Sequence, residues 1–322
     1  MRRAVLLAAG ALLAASFIVA PARAYDGLFA TTSYRNAPLA PDAPVSPLSK
    51  VYVSDLARKA QRLGVWVNTT AFSTPVYTVG PDQPTTTVTV YNPSDPSAST
   101  NASLQQQWTD VPLPPGAQPA AGTDGCLVIY QPNVFGGRIW EFWRFSPNNG
   151  HPFAVFGGRL DDVVDNPGYF ADGHGASASG IPLLVGLQRI AELRSGAIDH
   201  AVNVAISNPG DVHRWPAQRD DGTNPLPTAV KEGMRFRLPA SLDIDALHMP
   251  PYATMVAKAI QRYGLVVTDG TGSEVGVVFY AEDPTPTGTN PYVGPTGIFD
   301  GIPPSETGQF LNFPWDKLQL LK

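Results

Sequence analysis

The chain has 322 residues, with 27 acidic against 22 basic side chains and a formal net charge of −5 at pH 7. Hydrophobic residues make up 43% and charged residues 15%, which excludes a disordered chain, and the absence of a Gly-X-Y period excludes collagen. Its 30 glycines and 33 prolines take about a fifth of the chain, against a usual ~12%, and so favour turns and short strands over long helices.

Met1-Arg2-Arg3, an apolar run from Ala4 to Ala20 and the small residues of Pro21-Ala22-Arg23-Ala24 follow one another as in a secretory leader. A membrane anchor needs an apolar stretch of roughly 20 residues, usually flanked by a stop-transfer charge cluster. This run ends instead in a cleavage-type segment, so residues 1–24 are expected to be removed and the mature protein secreted, with no membrane attachment. No Lys/Arg cluster marks a nucleic-acid or anionic-membrane partner. Cys126 is the single cysteine, so no intramolecular disulfide exists. It sits in the apolar run Gly125–Tyr130 and reads as a small buried side chain, with no inter-chain disulfide expected.

Residues 25–50, with prolines at 38, 41, 44 and 47, read as extended, surface-laid chain. A short helix is predicted from Ser54, as N-cap, to Leu63, with Gly64 after it. Strands are predicted over Val65–Val67, Tyr77–Val79 and Thr86–Val90. Leu127–Gln131 and Arg138–Phe145 form the clearest hairpin, around Gly136-Gly137. Strand alternation puts Arg138, Trp140, Phe142 and Arg144 on one face, and Ile139, Glu141, Trp143 and Phe145 on the other. Farther on come a helix over Pro182–Arg194, a strand over Ile198–Ile206, and alternation late in Val230–Leu238. A helix over Tyr252–Tyr263, the strand Leu265–Val267, a turn at Asp269–Gly272 and the strand Val275–Tyr280 complete the pattern. The fold class expected is mainly β: a single β-sandwich or jelly-roll-like domain over residues 51–322, with a few short peripheral helices.

No phosphate-binding loop, dinucleotide fingerprint, H-E-x-x-H or Cys/His zinc spacing occurs, so no cofactor or metal site is read. Glu141 shares its strand face with Ile139, Trp143 and Phe145. An apolar, aromatic wall raises a carboxyl pKa, as a general acid requires, although an ion pair with an arginine is the plainer alternative. Asp199-His200 heads a predicted strand, where His200 is either a core histidine or a base at the strand end. His174 lies in the Gly/Ser-rich loop Gly173–Gly180. Trp215 and Arg219 flank a polar loop whose Asp220 and Asp221 suit sugar hydroxyls or Ca²⁺, with a structural turn as the simpler account. Glu282 ends the last strand, where scaffolded sites and solvated acids both occur.

Trp140-Glu141-Phe142-Trp143, Ala176–Pro182, Gly196–Ala201, Trp215–Arg219, Gln261–Gly264 and Phe279–Pro284 occur in this order. In these segments, over roughly Asp124 to Pro284, the chain resembles a group of exported proteins of actinobacteria and other bacteria. That group often has an acidic residue in the segment matching Ala176–Ser179, where this chain has Ala and Ser. The resemblance implies a single exported domain and carries over no catalytic residue.

Export, acidity, six tryptophans and carboxylates beside aromatics together favour a secreted carbohydrate-active enzyme cleaving an extracellular polysaccharide. As a hydrolase, Glu141 is the expected acid, with Glu282 or Asp199 as base or nucleophile. As a lyase, His200 abstracts a proton while Arg219 neutralises a uronate carboxylate. Trp143, His174, Trp215 and Arg219 are the expected substrate contacts. A non-catalytic glycan-binding or cell-surface protein uses the same aromatics, and a structural envelope protein needs no small ligand.

Overall fold

The computed structural model describes residues 27–98, 101–305 and 307–322; the expected leader, residues 1–24, lies outside them. Among the described residues the α-helices are α1 (Ser49–Leu63), α2 (Ala102–Gln107), α3 (Ile190–Ser195) and α4 (Pro251–Arg262). The first seven strands are β1 (Val65–Asn68), β2 (Val76–Thr78), β3 (Thr89–Val90), β4 (Leu127–Gln131), β5 (Arg138–Trp143), β6 (Phe153–Ala154) and β7 (Phe156–Leu160). The remaining five are β8 (Val202–Ser207), β9 (Arg235–Arg237), β10 (Leu265–Thr271), β11 (Val277–Tyr280) and β12 (Gln319–Leu320).

These strands make a six-stranded sheet in the order β1-β11-β8-β10-β9-β12, a four-stranded sheet β2-β4-β5-β7 and a small β3-β6 pair. The mainly-β class expected from the sequence is the class observed. Both larger sheets are mixed: β1 with β11, β8 with β10 and β2 with β4 run parallel, and the other pairings in them are antiparallel. β8, buried along its whole length, lies inside the large sheet, as a strand covered on both faces must.

Alternation sorts the side chains into three apolar clusters. Val202, Val204, Leu265, Val267, Val277 and Phe279 on one face of the large sheet pack against α1 and α4. Both helices supply apolar residues at helical spacing: Tyr52, Leu56 and Ala60 in α1, Tyr252, Val256 and Ile260 in α4. Ala201, Val266 and Tyr280, on or beside the opposite face, meet Val128, Tyr130 and Ile139 of the four-stranded sheet in a second cluster. Leu127, Ile129, Trp140 and Phe142 face the other way, onto Leu104, Trp108 and Val88.

Several elements depart from their sequence reading. α1 begins at Ser49, so Ser54 lies inside it and bonds the Lys50 carbonyl instead of capping. Phe145 joins the Trp140/Phe142 cluster because Arg144, at φ 53°, breaks the alternation. Residues 182–189 are not helical: Gln188 N–H bonds the Tyr280 carbonyl, and the Gly186 carbonyl accepts from Asn203 N–H. The segment after Gly27 is irregular but not merely laid on the surface, since it buries Leu28, Phe29, Tyr34 and Arg35. Arg35 donates from Nε to the Val185 carbonyl at 3.0 Å, pinning this segment to the middle cluster. Among the described residues, no helix is long and apolar enough to cross a membrane.

Candidate functional site

A cavity of about 380 Å³ opens where the two larger sheets meet. The four-stranded sheet contributes Trp143 and Phe156, directly opposite each other on β5 and β7. Asp124 and Cys126 enter from the approach to β4, and Asn203, Thr268, Asp269 and Tyr280 from the large sheet. The loops carrying Ala176–Ala178 and Arg219–Asp221 complete the walls.

Asp269 owes its place to a β-bulge. In the β8–β10 ladder Val267 pairs with Val204, but Asp269 rather than Thr268 pairs with Ala205. The extra residue lets Thr268 and Asp269 both line the cavity, whereas unbroken alternation would turn Asp269 toward the apolar face of Leu265 and Val267. Asp269 accepts from Gly270 N–H at 2.9 Å and from Ala178 N–H at 3.2 Å. Burial, which outweighs these bonds, and the negative charges of Asp221 and Asp124 push its pKa up to about 7. Gly270 permits the crowding: a Cβ there would stand 3.2 Å from Asp221 Oδ1. Behind this wall, burial and the neighbouring carboxyls of Asp221 and Asp269 push Glu232 up to about 10, so it is a neutral acid near pH 7.

Of the residues singled out in the sequence, Trp143 and Arg219 line the cavity. Arg219 stacks over the Phe156 ring at 5.0 Å, and its terminal nitrogens donate to the carbonyls of Gly173, His174, Gly175 and Ser177. Glu141 lies under the same loop, fully buried, and accepts from Ala176 N–H at 2.7 Å and Leu183 N–H at 2.8 Å. Burial raises its pKa to about 7 in spite of those two bonds and the Arg219 charge. The apolar surroundings thus act on Glu141 in the expected direction, but it stands outside the cavity lining.

The remaining five candidates lie outside the cavity lining. His174 is buried beside Phe156, its Nδ1 2.8 Å from Asp172 Oδ2. Asp199 faces Arg262 at 3.8 Å. His200 is buried before β8, with Nδ1 at 2.7 Å from the Ala201 carbonyl and Nε2 at 3.1 Å from Glu192. Glu282 accepts from Arg189 Nε and Ile190 N–H, both at 2.9 Å, and so caps α3. Trp215 is exposed and meets Tyr34 edge-on at 5.5 Å. Asp220, weighed with Asp221 for Ca²⁺, pairs with His213 at 2.7 Å. Among the described residues, no group of three or more His, Cys, Asp or Glu is arranged to hold a metal ion. Cys126 lines the cavity as a thiol that burial pushes well up, with Asp124 and Asp269 adding to the effect.

The residues that sequence reasoning missed are Asp269, Asp124, Glu232 and Asn203. Asp269 carried a usable signal, an acid next to glycine inside an apolar strand run, where bulges concentrate. Comparison of the chain with family models, curated proteins and solved structures finds no match.

Proposed function

We propose that the chain is an exported glycoside hydrolase that cleaves an extracellular polysaccharide in this cavity, with Asp269 as its general acid. The observation that carries the reading is Asp269 itself, a carboxyl with a pKa of about 7 in an aromatic-walled cavity lined by three more carboxyls, Asp124, Asp221 and the His213-paired Asp220. Glycosidases use two carboxyl groups in different protonation states on either side of one bond. Asp269 keeps a proton close to neutrality and delivers it to the leaving oxygen. Asp124 or Asp221 supplies the second group, activating water or attacking the anomeric carbon. Trp143 and Phe156 offer apolar faces against which the C–H side of a sugar ring packs. The volume falls within the ~300–1,000 Å³ of small-molecule pockets.

This assignment moves the acid from Glu141, which stands outside the cavity lining, to Asp269, which is part of it. The lyase route has less support, because both ring nitrogens of His200 are engaged outside the cavity. Export itself rests on the leader-like sequence of residues 1–24.

The test is incubation of protein starting at Tyr25 with a polysaccharide panel, reading reducing ends and unsaturated-product absorbance together. Reducing ends that disappear in Asp269→Asn, with the melting transition retained, support the reading. Full turnover by that variant would overturn it, and saturable binding without product would favour a glycan-binding protein instead.

A further inference from the structure

A second set of reactive side chains meets outside the cavity lining: Ser103 on α2, with Asp172 and His174 in the irregular chain between β7 and α3. His174 Nδ1 is 2.8 Å from Asp172 Oδ2, and its Nε2 is 3.5 Å from Ser103 Oγ. His174 is 7% exposed, whereas Ser103 and Asp172 are both exposed. One buried imidazole thus connects a solvent-facing hydroxyl to a carboxyl group.

The neighbours decide which ring nitrogen carries the proton. Gln107, one turn beyond Ser103 on the same face of α2, accepts from Arg159 N–H at 2.9 Å through Oε1. Its Nε2 is thereby turned to Asp172 Oδ2 at 2.9 Å and lies 3.0 Å from His174 Nδ1, the bond to the carboxylate being the stronger. Asp172 also accepts from the His174 backbone N–H at 3.0 Å. Partial burial works against it, but these bonds from His174 and Gln107 hold the Asp172 carboxyl below the usual range. A carboxylate only accepts, so Nδ1 carries the ring proton and Nε2 keeps its lone pair toward Ser103. On that side Asn101 Oδ1 accepts from Ser103 Oγ at 2.9 Å and Leu104 N–H at 3.0 Å, which leaves Asn101 Nδ2 beside His174 Nε2 at 3.4 Å. The serine proton reaches Nε2 by a turn about the Cβ–Oγ bond. The approach is looser than the ~2.6–3.2 Å of an engaged nucleophile and base, as such pairs often are before substrate binds.

We propose that Ser103, His174 and Asp172 form a nucleophile, base and positioning residue that cleave short-chain acyl esters, an activity independent of the carboxyl-lined cavity. Ser103 Oγ bonds to the acyl carbon while Nε2 takes its proton. The bond from that carbon to the alcohol oxygen then breaks, and the proton leaves with the alcohol. Water attacks the acyl-serine carbon in turn, its proton passes through Nε2 to Oγ, and the carboxylic acid departs. Asn101 Nδ2 is the N–H donor placed for the oxygen anion that forms in each half of the reaction. Asp172 acts through His174, fixing its tautomer and orientation. Ser103 stands on the exposed side of its helix, so a long acyl chain would lie in water, and a short one such as acetyl fits better.

The test treats the whole chain with a fluorophosphonate, which phosphonylates an activated serine with loss of fluoride, and locates the label by mass spectrometry. Hydrolysis of p-nitrophenyl acetate is followed in parallel. A single label at Ser103 is expected, with label and ester hydrolysis both lost in Ser103→Ala, a change at an exposed position. His174→Gln is expected to slow both reactions at least about 100-fold, the contribution of a positioned base. Should that buried substitution prevent folding, Asp172→Asn, at an exposed position, is the second variant. It is expected to slow labelling with its melting transition retained, and Asp172→Glu, which keeps the carboxylate, to recover part of the loss. No label on the folded protein, a label on another residue, or undiminished labelling in folded His174→Gln or Asp172→Asn overturns the proposal.

Discussion

Glu141 and Arg219 hold one loop by opposite chemistry: the carboxylate accepts from the backbone N–H groups of Ala176 and Leu183, while the guanidinium donates to four carbonyls between Gly173 and Ser177. One side chain comes from β5 and the other from a distant loop, and between them they fix a segment that has no ladder of its own. The cavity wall formed by Ala176–Ala178 therefore depends on both.

Glu141→Gln preserves shape but points an amide N–H at a backbone N–H. A loss of about 1–3 kcal/mol is expected in urea unfolding. Arg219→Lys should cost a similar amount, since one ammonium cannot reproduce a planar fork that reaches four carbonyls. Unchanged stability in both variants would show that the loop holds itself.

Stability should fall as pH rises above the ordinary carboxylate range. Folded, Glu141 and Asp269 keep protons up to about 7 and Glu232 up to about 10, whereas unfolded-chain carboxyls release theirs near ~4. Over those windows the folded state binds more protons than the unfolded one, so rising pH favours unfolding. Glu192 acts at the other end. Despite its burial, His200 beside it holds it down at about 2, and that contribution is lost as pH falls toward 2. Urea midpoints measured from pH 5 to 9 should decline, and Glu232→Gln should flatten the decline above pH 7. A level wild-type profile would contradict this account.

If Asp269 is the acid, turnover must fall as it loses its proton. The alkaline limb of the pH–rate profile is expected near pH 7, and Asp269→Asn should remove turnover by about 10²–10⁴-fold. Activity that persists undiminished to pH 9 would assign the proton to another group.

Gly186→Ala should be among the most damaging single-methyl additions, because the new Cβ meets the backbone nitrogen of Asn203 and the Cβ and Cγ next to it rather than a yielding side-chain end. A cost of about 3 kcal/mol or more is expected, at the upper end for overpacking. Thermal melting would check it, and a shift below about 2 °C would mean that β8 can retreat.

Local patterns were readable where local interactions decide the structure. The β4–β5 hairpin follows from alternation around Gly136-Gly137, and α4 from apolar spacing after Pro251. Residues 182–189 defeated the helix reading because their backbone groups bond to Tyr280, Asn203 and Glu141, partners that no window of neighbouring residues contains. Strand direction was equally hidden, since parallel and antiparallel neighbours leave similar apolar runs when both faces are covered. Trp143 and Arg219 were found because aromatic and cationic residues in loops and hairpins stand out. Asp269 was read as a turn because a bulge is a property of two strands, not one.

The two larger sheets share no strand, yet each supplies one wall of the cavity. A ligand lodged there would act as a strut, touching β5 and β7 on one side and β8, β10 and β11 on the other. Its binding energy would resist any parting of the sheets, so amides in both should exchange more slowly together rather than one sheet at a time. The chain has one cysteine and thus no disulfide within itself, so occupancy of this seam would supply a reversible brace that covalent chemistry does not.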